Sequence, residues 1–217
     1  MNKTYKVGLI GCGHISETYF RAHEYFNNFK IIKCADIKEG ASKNCASLYN
    51  IESVSVDDLL ADNQIEVVLN LTTPQAHYEV TKKTLLAGKH SYCEKPLSTK
   101  FENGQELVNL AKEKNLYLGN GPDTFLGAGS QKSRQLIDSG LIGDIKLGNA
   151  IFAFPGVQSY HPDPEPWFQK DGGGPVMDMG TYYLTVLVNL LGPAKQVQGC
   201  ELTVSEFREI GIGPKKG

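Results

Sequence analysis

Tyr5-Lys6-Val7-Gly8-Leu9-Ile10-Gly11-Cys12-Gly13-His14-Ile15-Ser16, near the start of a chain of 217 residues, is an apolar strand that runs into a glycine-spaced turn. Glu17-Thr18-Tyr19-Phe20-Arg21-Ala22-His23 continues beyond the turn as a helix. Gly11 permits the tight turn. Gly13 lets a dinucleotide pyrophosphate approach the backbone, where helix N–H groups and the helix dipole favour it. Ser16 stands where a third glycine or alanine is usual and is small enough for close packing. By itself a G-x-G-x-x-S turn is equally an ordinary strand-to-helix connection. Asp36 changes the balance, because it ends a second strand, Ile31-Ile32-Lys33-Cys34-Ala35-Asp36, at about the spacing of an acid that binds adenosine ribose. Strand, glycine turn, helix, strand and acid together point to nucleotide binding.

A second motif lies further along the same half. Glu94-Lys95-Pro96 follows the short stretch Ser91-Tyr92-Cys93, itself preceded by a helix-like run that ends at Gly88. A lysine at the carboxyl end of a parallel strand points into the crevice where open α/β sheets bind ligands. In this reading Glu94 holds the ammonium and Pro96 fixes the turn that aims it. Taken alone, a Glu-Lys pair is more often a solvated surface pair.

The elements between these motifs alternate. After Asp36, Glu39 to Tyr49 reads as a helix, and Asp57 as the cap of a short one through Leu60. Glu66 to Leu71 is a third strand. Thr72-Thr73-Pro74 then turns the chain, with Pro74 at a first helical position. That helix runs to about Ala87 and stops at Gly88, a left-handed cap. Ser98 caps a helix through Lys114, and Leu116 to Gly119 is another strand. This order implies right-handed βαβ units and a parallel sheet covered on both faces.

Past Asn120-Gly121-Pro122 the pattern changes. Phe125 to Ser139 reads as a helix ended by Gly140 or Gly143, and Ile145 to Phe154 alternates like a strand covered on one face. A long loop from Gly156 to Gly174, rich in Pro, Gly, Asp and aromatic residues, has the length of a functional loop. A helix to Leu191 and a strand over Val197 to Val204 follow. The expected fold class is α/β: a Rossmann-type doubly wound parallel sheet over 1–122, then an incomplete α+β domain with an open sheet over 123–217. Two strands and two helices make a poor independent domain, because their sheet edges stay unpaired.

Composition narrows the partners. The net charge of −2, from 22 basic and 24 acidic residues, points away from a nucleic-acid surface. The longest apolar stretch, Tyr182 to Leu191, is too short to span a bilayer. Met1-Asn2-Lys3-Thr4-Tyr5 runs straight into the first strand without a signal peptide. Five cysteines, an odd number without framework-like clustering, fit reduced thiols and a cytoplasmic location. Cys12 and Cys93 read as small buried thiols. No C-x-x-C pair or His/Cys cluster has zinc-ligand spacing, so no metal is expected.

These pieces resemble the glucose–fructose oxidoreductase/inositol dehydrogenase (Gfo/Idh/MocA) family. Gly11 to Ser16, Asp36, Thr73-Pro74 with His77, Ala87-Gly88-Lys89-His90 before Glu94-Lys95-Pro96, and Gly172-Gly173-Gly174 before Asp178 occur in family order over nearly the whole chain. The resemblance implies NAD as cofactor, with NADP as the alternative. It implies contacts from Gly11, Gly13, His14, Ile15, Asp36, Thr72, Thr73, Pro74, His77, Glu94 and Lys95. It also implies hydride transfer to or from a secondary alcohol of a sugar, cyclitol or related polyol, and a second domain that holds this substrate and assembles into a homo-oligomer at full length. Many members carry Asp-x-Gly-x-His, whereas Asp178-Met179-Gly180-Thr181-Tyr182 puts tyrosine in the histidine position, as in a subgroup resembling glucose–fructose oxidoreductase and dihydrodiol dehydrogenase. Lys95, Asp178 and Tyr182 are then the catalytic candidates. Lys95, Asp123, His161, Trp167 and Asp178 are the substrate candidates. A non-catalytic dinucleotide-binding sensor or subunit is the alternative function, favoured by the short C-terminal part.

Overall fold

The computed structural model describes residues 3–22, 25–161, 163–168, 172–203, 205 and 207–217. His23 and Val204, the expected ends of two elements, lie outside them. The chain forms two compact units, Met1–Gly121 and Pro122–Gly217.

The first unit is a six-stranded parallel sheet. Its strands are β1 (Tyr5–Ile10), β2 (Phe29–Ala35), β3 (Glu52–Ser53), β4 (Val67–Asn70), β5 (His90–Cys93) and β6 (Leu118–Asn120). They lie in the order β3-β2-β1-β4-β5-β6. The chain therefore winds outward from β1 in one direction, returns, and winds outward in the other. The switch point lies between β1 and β4, where such sheets open a crevice at their carboxyl ends. Connecting helices are α1 (Ser16–Ala22), α2 (Glu39–Tyr49), α3 (Val56–Ala61), α4 (Pro74–Leu86) and α5 (Phe101–Glu113).

Both sheet faces are buried, as parallel strands require. Val7 and Leu9 pack on one side with Phe20, Cys34, Cys45 and Leu69, while Ile10 packs on the other with Ala35, Leu59, Ile65 and Val68. The alternation slips once. Val7 pairs with Ile31 but Gly8 pairs with Lys33, so β2 carries an extra residue there. That irregularity puts Ile31 and Cys34 on the same face, three positions apart.

Several ends differ from the sequence expectation. The strand β3 was not foreseen, because two residues carry no period. Ser55, not Asp57, caps α3: its hydroxyl accepts the Asp58 N–H at 3.0 Å. Both residue types favour that role, and the apolar Val56 starts the helix two positions earlier. Ser98 does not cap α5, since its hydroxyl donates to the Lys100 carbonyl at 2.5 Å. Gly88 does take the left-handed conformation, at φ 74.

The second unit contains α6 (Ala128–Asp138) and α7 (Thr181–Leu191), with a π-helical turn over Val176–Gly180 leading into α7. Arg134 on α6 donates to the carbonyls of Asn189 and Leu190 at 3.0 and 2.8 Å, which satisfies the end of α7. Neither Ile145–Phe154 nor the described part of Val197–Val204 forms a strand. An alternating pattern needs a ladder partner for its N–H and C=O groups, and among the described residues neither segment has one. Their apolar residues are left at the surface, Leu147 at 87% and Val197 at 83% exposure. No helix among the described residues is long and apolar enough to cross a membrane.

Candidate cofactor site

At the end of β1 the Gly11 N–H donates to the Ala35 carbonyl at 2.9 Å, and the backbone turns through φ 102. A Cβ on Gly11 would stand 2.6 Å from the carbonyl carbon and oxygen of Leu71 and 2.7 Å from the Thr72 nitrogen. Only glycine fits. Two residues on, a Cβ on Gly13 would meet nothing within 4 Å, so the backbone there borders open space. Ser16 answers for the missing third glycine: it is buried, and its hydroxyl donates to the Gly13 carbonyl at 2.7 Å. His14 and Ile15 lie exposed on the turn.

Asp36 follows β2 directly. Its two carboxylate oxygens accept the Cys12 and Lys38 N–H groups, each at 2.7 Å. The acid is thus bound to the glycine turn itself, and it remains half-buried at the crevice rim.

Across the switch point, the loop after β4 is organised by a residue that sequence reading passed over. Asn70 is fully buried at the end of β4. Its amide donates to the His77 carbonyl at 3.0 Å and to Thr81 Oγ1 at 2.9 Å, while its oxygen accepts the Thr72 hydroxyl at 2.6 Å. A polar residue closing an otherwise apolar strand was the available signal. Thr73 precedes α4 in extended conformation, and Pro74 opens the helix. His77 is 1% exposed, with Nδ1 2.6 Å from the Pro96 carbonyl and Nε2 3.0 Å from that of Thr72. It joins the Thr72 loop to the Lys95 loop from beneath. Burial lowers its pKa from 6.5, partly offset by the two carbonyls.

The third loop leaves β5. Glu94 accepts the Tyr19 hydroxyl at 2.7 Å through one oxygen and the Lys95 N–H at 3.0 Å through the other. The Asn120 amide donates to the carbonyls of Cys93 and Glu94 at 2.9 and 3.1 Å, fastening the same loop to β6. Lys95 is half-buried and its bond to Pro96 is cis. Gly11, Gly13, Asp36, Thr72, Thr73, Pro74, Glu94 and Lys95 therefore all lie at the carboxyl ends of β1, β2, β4 and β5.

The other candidates belong to the second unit. Asp178 and Tyr182 stand one helical turn apart across the π-helical turn and the start of α7, both half-buried. Burial raises the pKa of the Tyr160 phenol, and the Asp178 carboxylate adds to the rise. The rings of His161 and Trp167 are 4.6 Å apart, and the Trp167 carbonyl accepts the Gly174 N–H at 2.7 Å. Asp123 is exposed in a short 3-10 turn.

Residues 5–121 match the oxidoreductase family with an NAD-binding Rossmann fold, Gfo/Idh/MocA, and residues 130–208 match a Gfo/Idh/MocA C-terminal domain. The chain belongs to the Gfo/Idh/MocA family. An uncharacterized oxidoreductase of Schizosaccharomyces pombe is 31% identical over 160 residues, covering 72% of this chain and 42% of that protein. The dTDP-3,4-didehydro-2,6-dideoxy-alpha-D-glucose 3-reductase of Saccharopolyspora spinosa is 30% identical over 198 residues, covering 89% and 58%. Among solved structures, a 3-ketoreductase of Actinomadura kijaniata in complex with NADP and TDP-benzene aligns with a TM-score of 0.77 at 27% identity, covering 88% of this chain and 58% of the other. The chain spans about half the length of the family members it matches.

Sequence spacing gave no metal pattern, yet the fold gathers Cys12, Cys34 and Cys45 beside the glycine turn, their sulfurs within 4.8 Å of one another. The residues are 22 and 11 positions apart and sit on three elements, so no spacing rule would have found them.

Proposed function

We propose that the protein is an NAD(P)-dependent oxidoreductase that moves hydride between a nicotinamide and a secondary alcohol of a sugar, cyclitol or related polyol. The observation that carries this reading is the convergence of the glycine turn, Asp36, the Thr72-Thr73-Pro74 loop and Lys95 on one sheet edge at the switch point. The residues fit a dinucleotide: the backbone at Gly13 is open to approach, and Asp36 offers a carboxylate at the rim. When bound, the nicotinamide supplies the hydride chemistry, and the protein supplies position and electrostatics.

In this reading residues 1–122 bind the cofactor. Asp36 accepts from the adenosine ribose hydroxyls, and its charge opposes a 2′-phosphate, so NAD is preferred. The Actinomadura relative was solved with NADP, which makes the preference a property to measure at Asp36 rather than one carried over from the fold. Asn70 and His77 shape the Thr72 loop, and Glu94, Tyr19 and Asn120 shape the loop of Lys95. Lys95 hydrogen-bonds the reacting oxygen and lowers its proton affinity.

Residues 123–217 take the substrate. Tyr182 exchanges the proton, Asp178 orients it, and Asp123, His161 and Trp167 contribute to sugar recognition. The exposed apolar residues of this unit, Leu147, Ile151, Val197 and Leu202 among them, support assembly into a homo-oligomer. Turnover measured with a panel of sugars, cyclitols and nucleotide-linked deoxy sugars tests the reading. Reduction or oxidation of one panel member supports it. Cofactor binding without turnover, in the longest natural chain, replaces it with a dinucleotide-binding sensor.

A further inference from the structure

Three thiols meet at the base of the glycine turn. Cys12 comes from the turn itself, Cys34 from β2 and Cys45 from α2, and their sulfurs lie within 4.8 Å of one another. The extra residue in β2 is what makes this meeting, because it places Cys34 on the α2 side of the sheet. Cys34 is fully buried and Cys45 is 8% exposed, whereas Cys12 is half-buried and opens the cluster towards the turn. The Cys34 thiol lies 3.4 Å from the Ser42 carbonyl, and the Cys12 thiol 3.7 Å from that of Ala35. Leu9, Phe20 and Ala46 complete an apolar surround.

The geometry points to a binding site for a single soft, thiophilic cation of the Cu(I) class, held by Cys12, Cys34 and Cys45. Among the described residues the donor group is sulfur alone, without imidazole or carboxylate, and thiolates select soft ions. It offers three donors rather than the four that structural zinc almost always takes. As each sulfur–copper bond forms from a thiol, one proton passes to solvent. Copper stays Cu(I), so no oxidant or reductant is required. The site shares the Cys12 backbone with the proposed cofactor turn, but its existence does not depend on the cofactor reading.

Anaerobic titration of the reduced protein with Cu(I) buffered by a coloured chelator tests the assignment. The expected result is one copper per chain, with sulfur-to-copper charge-transfer absorption. Changing a group that only orients a metal's ligands already costs roughly 10–100-fold in metal affinity, so loss of a direct ligand in Cys12→Ala or Cys45→Ala should weaken binding by at least about 100-fold. Circular dichroism establishes that each variant is folded, and Cys12→Ser serves where an alanine variant is not. Cys200→Ser, at an exposed thiol outside the cluster, should bind like the parent. Absence of copper binding, full affinity in any folded cluster variant, or loss of binding in Cys200→Ser would each overturn the site.

Discussion

Gly11 and Gly13 are two residues apart in one turn, and the structure assigns them opposite sensitivities. In Gly11→Ala the new methyl would lie 2.6 Å from the Leu71 carbonyl and 2.7 Å from the Thr72 nitrogen, on a backbone at φ 102. Backbone atoms at the ends of two packed strands have little room to retreat. A non-glycine residue in such a conformation costs about 1–3 kcal/mol, and overpacking adds about 1–3 kcal/mol. The sum of about 2–6 kcal/mol is a large share of the roughly 5–15 kcal/mol that holds a domain folded. At about 2–4 °C per kcal/mol for a chain of this size, the melting temperature should fall by roughly 10 °C. In Gly13→Ala the methyl meets nothing within 4 Å, so folding stability should change by less than about 0.5 kcal/mol. Cofactor affinity should nevertheless fall at least tenfold, equivalent to about 1.4 kcal/mol, because the methyl stands where the pyrophosphate approaches. Circular dichroism is the suitable assay, since the single tryptophan, Trp167, reports on the second unit. Equal stability of Gly11→Ala and the parent, or equal loss in both variants, would refute the argument.

Lys95→Met should leave NAD affinity nearly intact while turnover drops by roughly 10²–10⁴; full turnover with any accepted polyol removes Lys95 from the mechanism. Tyr182→Phe deletes only a hydroxyl and should keep folding and cofactor binding while turnover falls by roughly 10²-fold or more. An unchanged rate and pH profile would assign proton transfer elsewhere. His77 bears on stability. Its folded pKa is lowered from 6.5 by burial, so the unfolded chain takes up the proton first as pH falls. Its stabilisation is therefore complete above about pH 6.5 and declines from there down to the folded pKa. The parent should lose melting temperature between pH 7.5 and 5.5 more steeply than His77→Gln; parallel slopes would show that the ring does not titrate with folding.

The first unit was legible because four of its strands run into a residue whose chemistry differs from their apolar body. Gly11, Asp36, Thr72 and Glu94 mark four strand ends, and Pro74 and Gly88 bracket α4. What escaped were features made by tertiary contact. Asn70 reads as one more strand residue until its amide is seen to hold Thr72, His77 and Thr81. Cys34 faces Cys45 only because β2 carries an irregularity that no local pattern announces. The motif sets His77 next to the cofactor loops, and only its burial shows that it lies beneath them. In the second unit, the alternation in Ile145–Phe154 described a surface that expects a neighbour, not a strand able to form without one.

Paired calorimetric titration of the chain with NAD and with NADP, repeated on Asp36→Ala, tests cofactor binding most directly. Hydrogen bonds to a charged group contribute about 1.5–3 kcal/mol. NAD should therefore bind the parent one to one and more tightly than NADP, and Asp36→Ala should weaken NAD by roughly ten- to a hundredfold while narrowing or reversing the preference. Part of that loss would come from the Cys12 and Lys38 N–H groups that Asp36 now holds, a contribution that falls equally on both cofactors. Absence of NAD binding, or tighter binding of NADP by the parent, would contradict the assignment.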